Sequence, residues 1–194
     1  MSMDENMKDQ NAKSAETAIR NILIENSTTV GYLTKTCEDD DIAVYARKAA
    51  TICRRRFKPQ EIILLSILDE DEEGEAGVAF TDKAIYCWDE DDNFIFSISY
   101  NDIESLDYDS NGVHLTGQGS GSAISSVRSP LFTLFSTAGA ETGTSQNSPK
   151  KSQYRYTVPC FCYDSGLEES EEQEYIREMY NMLADIVDLI HTNN

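Results

Sequence analysis

The first group of residues whose types and spacing could bind a metal ion resembles part of a calcium loop. Residues 107–112 have carboxylate or amide side chains at the first, third and fifth positions and Gly112 at the sixth, which is the opening half of an EF-hand loop. The twelfth position is Gln118, whose amide cannot supply the bidentate carboxylate that calcium needs. The acidic stretch 69–75 fails in the same way, because Phe80 stands at its twelfth position. We therefore predict a tight, mirror-type hairpin turn at Asn111-Gly112 and no calcium site.

A zinc site would need four ligands, and only scattered candidates exist. Cys160 and Cys162 would lie on the same face of a strand, while Cys87 and His114 fall on other predicted strands. This arrangement lacks the paired C-x-x-C spacing of zinc sites. The five cysteines are an odd number without the spacing of a disulfide framework, so we predict reduced thiols packed in the core and no metal.

Catalytic patterns are weak. His114 and His191 are the two histidines of the chain, and the sequence has no serine elbow, cysteine–histidine pairing or phosphate loop. The glycines at 117, 119 and 121 resemble part of a dinucleotide fingerprint but do not join a strand to a helix start, so a flexible linker is the better interpretation. We predict a protein that is not an enzyme, with no catalytic residue and no cofactor.

A basic segment is the one local departure from an acidic composition. Between residues 42 and 60 there is no acidic residue, but there are six cations: Arg47, Lys48, Arg54, Arg55, Arg56 and Lys58. One interpretation is that they complement a helix C-terminus and pair with acidic loops. The other is a docking site for an acidic partner or a nucleic-acid backbone, and we take these six residues as the candidate partner-docking site.

The overall charge restricts the classes of partner. The chain has 194 residues, with 35 Asp and Glu against 16 Lys and Arg and a net charge of −19. Such a charge argues against non-specific binding to nucleic acid and against docking on anionic lipid, and it leaves a basic protein partner open. No apolar run approaches the roughly 18 residues of a membrane span. Reduced cysteines and no signal-peptide pattern predict a cytoplasmic protein.

Hydrophobic periodicity predicts two helices, seven strands and a final helix. The first helix covers residues 12–25 after a disordered stretch 1–11, and the second starts at the acidic 38–41 and ends with Arg54–Arg56 at its C-terminus. The strands are predicted at 61–68, 76–81, 84–89, 93–100, 102–109, 113–116 and 154–163, and the last helix at 168–191. Residues 117–153 are rich in Ser, Thr and Gly and predict a flexible insertion. Runs of hairpins indicate an α+β fold.

This order resembles the pleckstrin-homology-like fold, most closely its bacterial members. The resemblance rests on residues 61–68, on 77–86 (Gly-Val-Ala-Phe-Thr-Asp-Lys-Ala-Ile-Tyr) and on 98–103 (Ile-Ser-Tyr-Asn-Asp-Ile). It implies a bent, seven-stranded antiparallel sheet or barrel over residues 59–194, capped by the C-terminal helix and preceded by a helical extension at 12–58.

The resemblance also implies a function. Phosphoinositide-binding members hold the headgroup with Lys and Arg around the loop between their first two strands, but here that loop is the acidic 69–75, which would repel it. We therefore expect a non-enzymatic protein-interaction module that binds peptides along an open sheet edge or beside the final helix. The alternative is an acidic inhibitor or immunity protein that covers a basic toxin or nuclease.

Overall fold

Three helices and nine strands make up the described part of the chain. The structure is a computed structural model and describes residues 3–26, 33–34, 40–68, 74–91, 94–121, 134–136, 152–160 and 167–193. The helices are α1 (Met3–Glu25), α2 (Asp40–Ile52) and α3 (Glu169–Asn193), with short 3-10 helices at Pro59–Glu61 and Tyr100–Asp102. The strands are β1 (Leu33–Thr34), β2 (Leu64–Ile67), β3 (Ala76–Phe80), β4 (Ala84–Asp89), β5 (Phe94–Ser99), β6 (Ile103–Asp109), β7 (Gly112–Gly121), β8 (Leu134–Ser136) and β9 (Ser152–Val158).

The predicted α+β class with antiparallel strands is confirmed. The strand order is β1-β2-β3-β4-β5-β7-β9-β8, and β6 pairs with β7 beside this path. Strand β7 joins two sheets, because Gly117 pairs with Ile103 of β6 while Ser120 and Gly121 pair with β5. The first sheet is therefore β2–β5 and the second is β6, β7 and β9. These seven strands correspond to the seven predicted ones, and β1 and β8 are short additions at the two ends.

The strands do not close into a barrel, so this part of the prediction is wrong. Among the described strands, those at the two ends of the path, β1 and β8, do not pair with each other. Helices cover the core instead: Ile19 and Leu23 of α1 and Met179 and Leu183 of α3 share one buried cluster with both sheets. Within that cluster the rings of Phe96 on β5 and Tyr156 on β9 lie 4.3 Å apart.

The first sheet is buried on both faces. Its inner face contributes Leu64, Val78 and Phe96 to the cluster shared with α1 and α3. Its outer face contributes a second cluster, in which Leu65, Ala79, Trp88 and Ile95 pack against residues of α2. Alternate residues of a strand point to opposite faces, which is why β3 is buried at every position. Helix α2 is thus the second cover of this sheet.

Helix α1 begins well before its predicted start. Its backbone is helical from Met3, so the predicted disordered terminus 1–11 is helical from that residue onward. Residues 3–11 have no apolar periodicity, and the prediction depended on that signal. They do contain Met, Glu, Lys and Gln, which have high intrinsic helix propensity.

Helix α2 ends earlier than predicted, and its end has an unusual backbone. The helix stops at Ile52, so Arg54–Arg56 follow the helix and do not form its last turn. The N–H of Arg54 donates to the Thr51 carbonyl (3.0 Å) and the N–H of Arg55 to the Ala50 carbonyl (2.8 Å), the two bonds of a Schellman motif. Arg54 and Arg55 have φ angles of 54° and 57°, in the left-handed region that favours glycine. We name residues 53–58 the arginine turn.

Glycine at position 54 should raise the stability of the protein. A non-glycine residue in the left-handed region is strained by about 1 kcal/mol or more, and Arg54 is exposed, so little packing is lost with its side chain. We expect Arg54→Gly to increase the free energy of unfolding by about 1 kcal/mol in urea titrations. Arg54→Ala removes the same charge but keeps the strain and should leave stability nearly unchanged. Equal stabilities of the two variants would contradict this account.

The predicted flexible insertion at 117–153 contains ordered strand. Residues 117–121 continue β7, 134–136 form β8, and β9 begins at Ser152; the rest of the insertion, 122–133 and 137–151, lies outside the described residues. Gly117 has a packing role, because a Cβ at this position would overlap the backbone carbonyl of Asp102 and approach the Ile98 side chain. It lies beside the register shift between Ile103 and Ser105. The glycine therefore permits close approach of the backbone where β7 passes from β6 to β5.

Alanine at position 117 should destabilise the fold. The added methyl group would meet backbone, which cannot turn aside as a side chain can, and overpacking of this kind costs about 1–3 kcal/mol. We expect Gly117→Ala to lower the free energy of unfolding by that amount in chemical denaturation. Gln118→Ala, at the adjacent exposed position, should be neutral. An unchanged stability of Gly117→Ala would instead favour the flexible-linker interpretation.

Candidate functional site

The segment that resembles half of a calcium loop is the β6–β7 hairpin. Asp109 pairs with Gly112, so Ser110 and Asn111 form the turn. The Asp109 carboxylate accepts the N–H of Asn111 at 2.7 Å, as in an Asx-turn. The turn is not the predicted mirror type, because neither Ser110 nor Asn111 has a positive φ and only Gly112 does, at 139°. The local bond to Asp109 favours the ordinary hand of turn, and the flexible glycine opens β7.

His114 connects three strands at this end of the second sheet. Its Nδ1 lies 2.9 Å from Thr157 Oγ1, its direct neighbour on β9, and its Nε2 lies 3.0 Å from Asp109 Oδ2. The Nε2 contact does not have the geometry of a hydrogen bond. Partial burial opposes ionisation of Asp109, but the Asn111 N–H and His114 outweigh it and lower the pKa of the carboxyl. The order carboxylate, imidazole, hydroxyl resembles a catalytic relay. However, the His114 side chain is only 10% exposed, which leaves little room for a substrate, and Asp109 and Thr157 are paired strand residues. We therefore assign the cluster a structural role.

Strand β6 offers an open edge beside α3. Among the described strands it pairs with β7 alone, and all its residues except Ile103 and Leu106 are exposed. Tyr108 is 43% exposed, and its ring lies 4.7 Å from the ring of Tyr180 on α3. Leu106 is half-buried against the same core. An exposed aromatic ring and a strand edge therefore lie next to the C-terminal helix, where a further strand would find both backbone and side-chain contacts.

The open edge is acidic. Glu104, Asp107 and Asp109 are exposed along β6, and the N–H of Tyr108 donates to the Asp107 carboxylate at 2.8 Å. Charged side chains on an edge strand prevent edge-to-edge association of identical molecules, because two acidic edges repel each other. A basic extended segment would meet the opposite condition. We name this surface, formed by residues 104–109 and Tyr180, the β6 edge.

The six predicted docking cations divide into two groups. Lys48 Nζ lies 3.4 Å from Glu75 Oε1, and Arg56 Nη1 donates to Ser97 Oγ at 3.0 Å. These two side chains stabilise the packing of α2 and the arginine turn on the first sheet. The remaining four, Arg47, Arg54, Arg55 and Lys58, are exposed. Both sequence interpretations therefore describe part of the set, since Lys48 pairs with Glu75, the last acid of the 69–75 stretch, while Arg47, Arg54, Arg55 and Lys58 face solvent.

Three cysteines are buried in the fold. Cys53, Cys87 and Cys160 are free thiols, and burial raises the pKa of Cys87 and raises those of Cys53 and Cys160 to about 12. Cys87 and Cys160 belong to the inner core, which agrees with the predicted core packing. Cys37 and Cys162 lie outside the described residues. No three His, Cys, Asp or Glu residues in the described ranges are grouped to hold a metal ion.

The residues that carry the family resemblance serve a hairpin in this structure. Thr81 Oγ1 accepts the N–H groups of Lys83 and Ala84, each at 3.1 Å, and so fixes the turn between β3 and β4. The hydroxyl of buried Tyr100 donates to the Thr81 carbonyl at 3.0 Å, which links that turn to the end of β5. Two of the three sequence segments of the resemblance, 77–86 and 98–103, therefore meet in space, and their contacts are those of a stabilised turn.

Sequence reasoning missed the His114 cluster and the β6 edge. The His114 cluster depends on the pairing of β7 with β9. His114 and Thr157 are more than forty residues apart in the chain, so no local sequence pattern indicates their contact. The signal for the β6 edge was present in part, because residues 102–109 alternate and are acidic. The sequence does not show which strand pairs with β6 on either side, because strand pairing is set by the tertiary structure.

Comparison with models of protein families, with curated proteins and with solved structures finds no match for this chain. Among the described residues, no helix is both long and apolar enough to cross a membrane.

The three buried thiols should be unreactive in the native protein. A thiolate is the reactive form of cysteine, and burial with a raised pKa keeps Cys53, Cys87 and Cys160 protonated at pH 8. We expect a Cys37→Ser, Cys162→Ser variant to show almost no labelling by a thiol-specific reagent when folded. All three thiols should react in urea, which serves as the control. Rapid labelling of any of the three in the folded variant would show that its surroundings open to solvent.

Proposed function

We propose that this protein is a non-enzymatic protein-interaction module that binds an extended, basic peptide segment of a partner at the β6 edge. The observation that carries the proposal is a strand of seven residues, paired on one side among the described strands and bordered by α3. Strand addition obtains its affinity from backbone hydrogen bonds and its specificity from alternate side chains. The resemblance to the pleckstrin-homology-like fold, which we keep as a proposal, implies peptide binding at an open sheet edge or beside the final helix. It therefore favours the same surface.

The chemistry of the edge supports a basic ligand. An incoming strand would offer a carbonyl to the N–H of Tyr108 and release the Asp107 carboxylate that now accepts it. That carboxylate and Glu104 would then face Lys or Arg side chains of the peptide. An apolar side chain of the peptide would cover Tyr108, whose ring already contacts Tyr180. Aromatic residues in such positions often dominate binding energy.

The acidic surface also favours a second candidate, an inhibitor or immunity protein that neutralises a basic toxin or nuclease. The net charge of −19 would increase the rate of association with a basic protein. The two candidates differ in what they recognise, because an inhibitor covers a folded basic surface through charge, while strand addition needs the backbone of an extended segment. We retain the proposal that the protein binds no phosphoinositide, for which the acidic composition of 69–75 is the support.

Binding at the β6 edge should depend on charge and on peptide backbone. We expect random peptides selected on the immobilised protein to be rich in Lys and Arg and to shift the backbone amide resonances of residues 103–109. Asp107→Lys should weaken the binding of a selected peptide by about tenfold, because like charges then oppose each other. Tyr108→Ala should have a similar effect, of about tenfold, through the loss of its ring contact. N-methylation of alternate peptide residues should abolish binding.

Asp91→Lys is the matched control, since it makes the same charge change at an exposed position between β4 and β5 and should leave the affinity unchanged. Selected peptides that bind Asp107→Lys and the unaltered protein equally would overturn the proposal. Binding that resists N-methylation but weakens steeply with added salt would support the inhibitor candidate instead.

A further inference from the structure

The arginine turn is anchored by contacts on both sides of Arg54 and Arg55, whose side chains are exposed. Cys53, immediately before them, is fully buried in the outer core of the first sheet. Arg56, immediately after them, bonds to Ser97 of β5. Phe57 is 4% exposed, and its ring lies 4.5 Å from that of Tyr86 on β4. The backbone at Arg54 and Arg55 is therefore fixed by packing against β4 and β5.

The backbone N–H groups of the three arginines are bonded within the molecule. The N–H groups of Arg54, Arg55 and Arg56 donate to the carbonyls of Thr51, Ala50 and Cys53, so they do not form an anion-binding nest. What the turn offers to solvent is its side chains. Arg47 and Thr51 are also exposed and lie four residues apart on one face of α2, in the last turns of the helix before the arginine turn.

The strained turn is held by its two Schellman hydrogen bonds and by its buried neighbours, and not by the side chains of Arg54 and Arg55. Two consecutive non-glycine residues have positive φ, at 54° and 57°, although both side chains are exposed and neither contributes to the buried clusters. Glycine would relieve the strain at either position. Strained backbone conformations are concentrated at sites of function. Glycine would fit this backbone with less strain, so what arginine adds at positions 54 and 55 is its charged side chain.

We propose that Arg54 and Arg55, together with Arg47, form a second docking surface that binds an acidic segment of a partner protein. The arginine turn fixes the backbone of both arginines before binding, so only their side chains have to be ordered when carboxylates pair with them. This surface is independent of the β6 edge, lies on the α2 side of the first sheet and has the opposite charge.

The charge distribution selects an acidic protein segment over a nucleic acid. Residues 42–60 carry six cations and no acid, whereas the rest of the chain carries 35 acids and the remaining ten of its 16 cations. A short acidic peptide segment can contact the basic surface without reaching the acidic residues around it. A nucleic acid extends further, and charges within a screening length of about 8 Å would include the acidic remainder of the protein.

The strain provides a test in which loss of binding and loss of folding are separated. The probe is a fluorescent oligoglutamate peptide, with binding followed by anisotropy at physiological ionic strength. We expect Arg54→Gly and Arg55→Gly each to weaken binding by about fivefold, while Arg54→Gly unfolds at a higher urea concentration than the unaltered protein. Arg20→Ala removes an exposed cation from α1 and should leave the affinity unchanged.

Three results would overturn the proposal: no binding of oligoglutamate, equal effects of Arg54→Gly and Arg20→Ala, or tighter binding of a single-stranded oligothymidylate of the same length. Asp107→Lys distinguishes this surface from the β6 edge, because it should leave oligoglutamate binding no weaker than in the unaltered protein. Failure at one surface therefore does not decide the other.

Discussion

A sheet that is apolar on both faces must be covered twice, and the rest of this structure depends on that constraint. Strands β2–β5 direct one set of side chains towards α1, α3 and the second sheet and the other set towards α2. Exposure of either face would leave several large apolar side chains in water, at about 25 cal/mol for each Å². The helices before the sheet are thus part of the packing. Trp88 shows this most clearly, because it is fully buried on the outer face and its indole N–H donates to the Gly74 carbonyl.

The second sheet follows a different rule. It buries Val113, Leu115 and Tyr156 on one face, while the opposite face presents polar residues such as His114 and Thr157, which bond to each other. Strand β7 is shared between the sheets, since it leaves β6 at Gly117 and reaches β5 at Ser120. Once β7 has turned to β5, β6 is left with a single strand partner among the described strands. The open edge is therefore a consequence of how the two sheets are joined.

Charge is segregated on this molecule in a way that its net value conceals. The β6 edge is acidic, whereas residues 42–60 carry six cations and no acid; the first surface belongs to the second sheet, and the basic segment packs on the first sheet. The two proposals assign a basic partner to the first surface and an acidic partner to the second. Separation into two signs, with left-handed arginines at one of them, is the observation from which the two docking proposals are argued.

The sequence alone determined the element types, since those depend on local periodicity. All seven predicted strands and the final helix were found, and β4 has the predicted bounds of 84 and 89, because alternation and turn residues mark strands within a few positions. Boundaries set by distant contacts were less predictable. The Arg54–Arg56 triplet suited a helix C-terminus by charge, yet the helix ended at Ile52, where Cys53 and Phe57 became buried against the sheet.

Only the tertiary structure decided which residues form a site. Neighbours along a strand are fixed by its period, but the partner of an edge or the approach of β9 to β7 depends on how two sheets pack, which no local pattern encodes. Gly117 illustrates the difference. The composition of residues 117–153 suggested a flexible linker. In the fold, a register shift between β6 and β7 brings the Asp102 carbonyl so close that position 117 requires a glycine. This requirement depends on tertiary contact and has no local sequence pattern.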